Sequence, residues 1–139
     1  MSDRNGLSLV VFAGGFDRVH YALVMASAAA ATNRKTTLFF TGRAVLALKA
    51  DDGWRELDPA DDGSSPQERN AHFGRSGLAE FEELLEACVA LGVTVMVCEM
   101  ALKAIGLEAS ALRNDVPVVS GGVVTFLNDA PVGGRMLFV

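Results

Sequence analysis

Few residues in this chain can do chemistry near neutral pH, and Cys98 is the best placed of them. It follows the run Val93-Thr94-Val95-Met96-Val97, which reads as a buried strand. It precedes Glu99 to Ile105, whose apolar spacing is that of a short helix stopped by Gly106. The first N–H groups of a helix have no partner within it and carry the positive end of its dipole. A thiolate at such a junction is stabilised, and its nucleophilic fraction rises. Adjacent Glu99 opposes that anion unless its own charge is solvated. The competing reading of any lone thiol is a small buried hydrophobe without chemistry. His20, one turn into a helix, is a candidate proton partner for a thiolate, with a packing or surface role as the alternative. Gly14-Gly15 invites a phosphate-loop reading, but neither glycine-rich fingerprint is complete and no Lys-Ser/Thr follows, so a tight strand-to-helix turn accounts for it. A Ser-His-Asp hydrolase has no nucleophile elbow to support it.

The elements that must position these residues follow from the hydrophobic pattern. Leu7 to Ala13 is a continuous apolar run ended by Gly14-Gly15. Asp17 stands where a helix cap belongs, and an alanine-rich helix is expected from about Arg18 to Asn33. Lys35 to Phe40 is a second strand, followed by Thr41-Gly42-Arg43 and a short helical segment from Ala44 to Lys49. From Ala50 to about Ser76 the chain turns acidic and rich in Gly, Pro and Ser. An irregular excursion is expected there, with Trp54 and Phe73 as its anchors to the body and His72 solvated. An amphipathic helix from Gly77, with Leu78, Phe81, Leu84, Leu85, Cys88 and Leu91 on one stripe, places Cys88 in the core. After the Cys98 strand and its helix come a helical stretch from Glu108 to Arg113 and a strand from Val116 to Val119. The turn Ser120-Gly121-Gly122, a helix from Val123 to Asn128 and a last strand from Arg135 to Val139 complete the order. Apolar strands alternating with helices predict an α/β fold, a parallel sheet of about five strands with helices on both faces, in one domain over 1–139. Ligands of such sheets bind beyond the carboxyl ends of the strands. That places Gly14, Gly15, Thr41, Arg43, Cys98, Gly121 and Gly122 on the functional rim.

Bulk properties exclude several classes. The net charge of −5 argues against a nucleic-acid surface, which needs clustered Lys and Arg. Tyr21 to Ala31 is shorter than the roughly 20 apolar residues that span a bilayer. The segment Met1 to Gly6 lacks the basic and apolar regions of a secretory signal, so a cytoplasmic, reducing location is expected, where Cys88 and Cys98 stay unpaired. No Cys-x-x-Cys, His pair or carboxylate loop has metal-ligand spacing, so neither a metal nor a cofactor is expected.

The order Phe12-Ala13-Gly14-Gly15-Phe16-Asp17-Arg18-Val19, the alanine-rich helix, Leu38-Phe39-Phe40-Thr41, and Val97-Cys98-Glu99-Met100 through Ile105-Gly106-Leu107 resemble the DsrE/DsrF-like sulfur-relay family. The likeness covers most of the chain outside 50–76. Many relatives read Cys-x-Met-Ser-Met where this chain has Cys98-Glu99-Met100-Ala101-Leu102. The resemblance implies a flavodoxin-like three-layer sandwich, assembly into trimers or hexamers, and sulfur carried as a persulfide on the cysteine matched by Cys98. It sets Gly14, Gly15 and Asp17 beside that cysteine.

The expected function is therefore sulfur relay, with sulfane sulfur passed from a donor protein or small thiol to an acceptor thiol through Cys98. His20, Arg43, Glu99 and Met100 are candidates to line the site. A non-catalytic oligomeric module that binds a small ligand or partner at the same rim is the alternative. A flavin or nicotinamide oxidoreductase is the third class.

Overall fold

Five strands, β1 (Ser2–Val11), β2 (Arg34–Phe40), β3 (Thr94–Cys98), β4 (Val118–Gly121) and β5 (Arg135–Phe138), form one all-parallel sheet in the order β4-β3-β2-β1-β5. The structure, a computed structural model, describes residues 2–139, with side chains from Asn5 onward; Met1, the first residue of the segment Met1 to Gly6, lies outside the described residues. The helices are α1 (Phe16–Ala31), α2 (Pro66–Arg75), α3 (Phe81–Ala90), α4 (Glu99–Ile105) and α5 (Val123–Asp129). The parallel sheet and its three layers are as expected. Its order differs from the 2-1-3-4-5 of flavodoxin, because the last strand returns to pair with β1.

The layers follow from crossover handedness. Right-handed connections that step from β1 to β2 to β3 to β4 leave on one face, and the return from β4 to β5 leaves on the other. Accordingly α1 packs on α3 and β2, whereas Phe126 of α5 stacks on Phe39 at 4.6 Å. Successive strand side chains alternate between faces, so Leu38 and Phe40 belong to the α1 side and Phe39 to the α5 side. The core on the α1 side combines Leu9, Val11, Leu38, Phe40 and Val95 with Phe16, Val19, Leu23, Phe81 and Leu85. Cys88 is buried there as expected and donates weakly to the Leu23 carbonyl at 3.5 Å; burial pushes its thiol up to about 11.

The segment 50–76 is more ordered than its composition suggests. It contains a 3-10 helix at Gly53–Glu56 and all of α2. Ser65 caps α2, accepting from the Glu68 N–H at 3.2 Å, with Pro66 as the first helical residue. Trp54 and Phe73 are anchors, with ring centroids 5.7 and 6.4 Å from that of Phe16. Boundaries moved elsewhere for local reasons. The helix expected from Gly77 begins at Phe81, because Glu80 and Glu83 form a capping box. The stretch Glu108 to Arg113 holds only a 3-10 turn at Ala109–Ala111.

The α5 face is thinly covered. A seven-residue helix is about 10 Å long, and five strands at about 4.8 Å spacing are roughly 19 Å wide. Phe12, Val123, Val124, Leu127, Val132, Met136 and Phe138 stay exposed, Val132 at 93 % and Phe138 at 71 %. Phe126 is the buried anchor of α5, so Phe126→Ala is expected to cost about 3 kcal/mol in urea unfolding. A loss under about 1 kcal/mol would show that α5 is held some other way.

Candidate functional site

Cys98 closes β3 and is the N-cap residue of α4, with extended backbone at φ −79° and ψ 117°. Val95, Val97 and their strand neighbours fix one side of β3 to the α1 core. By alternation Cys98 then shares the α5 side with Thr94 and Met96. Register sets it opposite Gly121, and Phe40 pairs with Val97, so Thr41 follows into the same row. Cys98 is 1 % exposed. No side-chain hydrogen bond caps α4, which leaves its first N–H groups for an anionic sulfur to satisfy, a task a neutral thiol does poorly. Gly106, at φ +73°, ends the helix in the left-handed conformation expected of that glycine. Glu99 and Met100 are exposed, so the Glu99 charge is solvated. A cavity of about 370 Å³ opens beside α4, and Glu99, Leu102, Lys103, Leu107 and Ser120 help to line it.

The remaining rim residues sort into two other groups. Gly14, Gly15, Asp17 and Arg43 gather around the segment 58–61. The Asp58 N–H donates to the Gly14 carbonyl at 2.8 Å, its carbonyl accepts from the Phe16 N–H at 3.0 Å, and its carboxylate takes the Arg43 guanidinium at 2.9 to 3.1 Å. A Cβ on Gly14 would stand 2.5 Å from Asp58 Oδ2, so the glycine is required by the approach of the protein's own chain. Pairing with Asp58 raises the Arg43 pKa further. Asp17 corrects the capping expectation. Gly15 is the N-cap of α1, which starts two residues early, and Asp17 Oδ2 accepts the Asp61 N–H at 3.1 Å while Oδ1 is buried without a partner. Gly122, across the rim, has open space around it.

His20 forms the third group. Its ring is 7 % exposed and stacked on Phe73 at 4.2 Å, and Nε2 lies 2.9 Å from the Ala79 carbonyl, as a donor in the matching tautomer. These contacts account for His20 as the clamp between α1, α2 and the start of α3. Asp58, Ser65 and Asn70 were not singled out by sequence reasoning. Asn70 holds α2 to α3, its Oδ1 accepting the Phe81 N–H at 2.8 Å. The pattern Ser65-Pro66-Gln67-Glu68 is a helix-start signal, whereas Asp58 carries no local signal.

Burial lowers the His20 pKa, and the nearby Arg69 charge lowers it further, against the bond to Ala79. An imidazole held neutral in the fold but protonated when unfolded makes stability rise with pH. The contribution is complete above the ordinary value of 6.5 and is lost as pH falls through the lowered folded value. His20→Phe should flatten the melting temperature between about pH 7 and 5. An unchanged slope would place the titrating group elsewhere.

A family model described as the DsrE/DsrF-like family matches residues 9–136. The Bacillus subtilis (strain 168) protein YrkE is 23 % identical over 156 aligned positions, covering 95 % of both chains. Protein MTH1491 of Methanobacterium thermoautotrophicum has a similar structure, with a TM-score of 0.63 at 16 % identity over 97 % of this chain and 99 % of that one. BT1422 of Bacteroides thetaiotaomicron gives 0.64 at 12 % identity, over 100 % and 98 %. The ychN protein of E. coli gives 0.55 at 18 %, over 96 % and 97 %. No helix among the described residues is long and apolar enough to cross a membrane.

Proposed function

Because the chain belongs to the DsrE/DsrF-like family, a family of the sulfur-relay type, we propose that it carries sulfane sulfur on Cys98 in a reducing, cytoplasmic setting. The observation that carries this reading is the place of Cys98 as the N-cap of α4 at the carboxyl end of a central strand. The Cys98 thiolate attacks the outer sulfur of a donor persulfide, the donor thiolate leaves, and Cys98 holds the sulfur as a persulfide. An acceptor thiolate then attacks that outer sulfur and Cys98 departs as thiolate, with no net oxidation. The free N–H groups at the start of α4 stabilise the anionic sulfur in both steps. No cofactor enters this chemistry. Transfer requires the cover over Cys98 to open, and its 1 % exposure favours the second reading, a non-catalytic binding module on the same fold.

Intact mass after incubating the reduced protein with a small persulfide donor separates the two. The relay predicts a gain of one sulfur on wild type and none on Cys98→Ser. No gain on wild type, or the same gain on the variant, contradicts it.

The exposed α5 face supports assembly of several copies, in keeping with the trimer or hexamer that the family likeness implies. Val124→Glu with Leu127→Lys should reduce the mass measured by sedimentation to that of one chain and leave the circular dichroism intact. A wild type that already sediments as one chain, or a variant that keeps the assembly, contradicts assembly through this face.

A further inference from the structure

A second concave region lies on the other face, at the opposite end of the strands from Cys98. A groove of about 660 Å³ runs between α1 and β5. Its floor is Leu7 of β1 and Leu137 of β5. Its wall is the α1 stripe Tyr21, Val24 and Ala28, spaced by three or four residues so that they share one side of the helix, continued by Thr32 at the helix C-cap. Small Ala28 deepens the groove at its middle.

Arg34 and Arg135, the first residues of β2 and β5, line one end. Arg135 pairs with Leu7, and Arg34 lies two residues before Thr36, which also pairs with Leu7. Both arginines therefore belong to the α1 side and flank β1. Arg18, Arg43, Lys49, Arg55, Arg69 and Arg113 all have carboxylate partners. Among the residues whose side chains are described, Arg34, Lys35, Arg75, Lys103 and Arg135 have none, and of these only Arg34 and Arg135 line the groove. Arg34 donates to the neutral Thr32 hydroxyl, which fixes one guanidinium nitrogen at the groove wall.

We infer that this groove binds a small organic anion with an apolar body, of the medium-chain carboxylate type. The two guanidiniums take the carboxylate, where Arg offers forked donors of fixed geometry. The apolar floor takes the hydrocarbon. A volume of about 660 Å³ suits a small-molecule site, which typically measures about 300 to 1,000 Å³ and is mostly apolar with a few placed polar groups. Inorganic phosphate leaves the floor unused, and a neutral alkane chain leaves both charges unused.

The test is a titration of nitrogen-15-labelled protein with decanoate below its micelle concentration, followed by amide shifts. Saturable shifts are expected at Leu7, Ala28 and Leu137. Decanol should bind about tenfold or more weakly, the factor expected from losing charge-assisted hydrogen bonds. Arg34→Gln with Arg135→Gln should weaken decanoate by a similar factor and leave decanol unchanged. Ala28→Trp, at an exposed position, should abolish both, and Cys98→Ser should change neither. Equal binding of alcohol and acid, shifts centred on Val124 and Val132, or no saturable shifts would overturn the assignment. So would cosedimentation of the protein with phosphatidylglycerol vesicles that depends on the two arginines, which would make the source a membrane. A change in sedimenting mass on Ala28→Trp without ligand would also overturn it, because the groove would then be a contact between copies.

Discussion

The architecture depends on one reversal of direction. Four strands are laid down in sequence from β1 to β4, and the fifth returns across the sheet to pair with β1. The fixed hand of parallel crossovers turns that order into an unequal division of cover. The long α1 and the ten-residue α3 protect one face, and among the described residues the short α5 is the only helix on the other. A parallel sheet is stable when both faces are covered. The apolar side chains left open on the α5 face are a consequence of connectivity.

The excursion is held by aromatic burial more than by charge. Arg18–Asp61 joins it to the start of α1 and Arg43–Asp58 to the turn after β2, but each partner is roughly half exposed, and exposed pairs contribute about 0 to 1 kcal/mol. Burying a large apolar side chain is worth about 1.5 to 3 kcal/mol, and Trp54 is 4 % exposed in the aromatic cluster around Phe16. The backbone hydrogen bonds of Asp58 with Gly14 and Phe16 give the segment its register over the first turn. Gly14, which in an open sheet would let backbone approach a ligand, instead admits Asp58. Thr41 and Gly121 are the companions of Cys98 in the strand register.

Much of this was legible because the signals are local. Apolar runs located all five strands, although β1 begins five residues before the expected Leu7 and β4 runs on through Ser120 and Gly121, which were expected as a turn; Glu99–Ile105 with Gly106 was readable as a helix and its stop. Segment 50–76 was obscured because its acidic composition resembles a solvated loop, and Ser65-Pro66-Gln67-Glu68 marked a helix too short of apolar residues to show a stripe. The role of Asp58 could not be read, since it arises from a contact with Gly14 across 44 positions of chain. Sequence pattern set Cys98 at the end of a strand, but only packing shows how completely it is covered.

Sulfur relay makes Cys98 a waypoint, so the decisive measurement follows the sulfur through it. Protein loaded by a persulfide donor is freed of donor, a fresh small thiol is added, and the peptides bearing Cys88 and Cys98 are weighed before and after. The account predicts that one sulfur resides on the Cys98 peptide and passes to the added thiol. Sulfur found on the Cys88 peptide, or held on Cys98 without release, would contradict it.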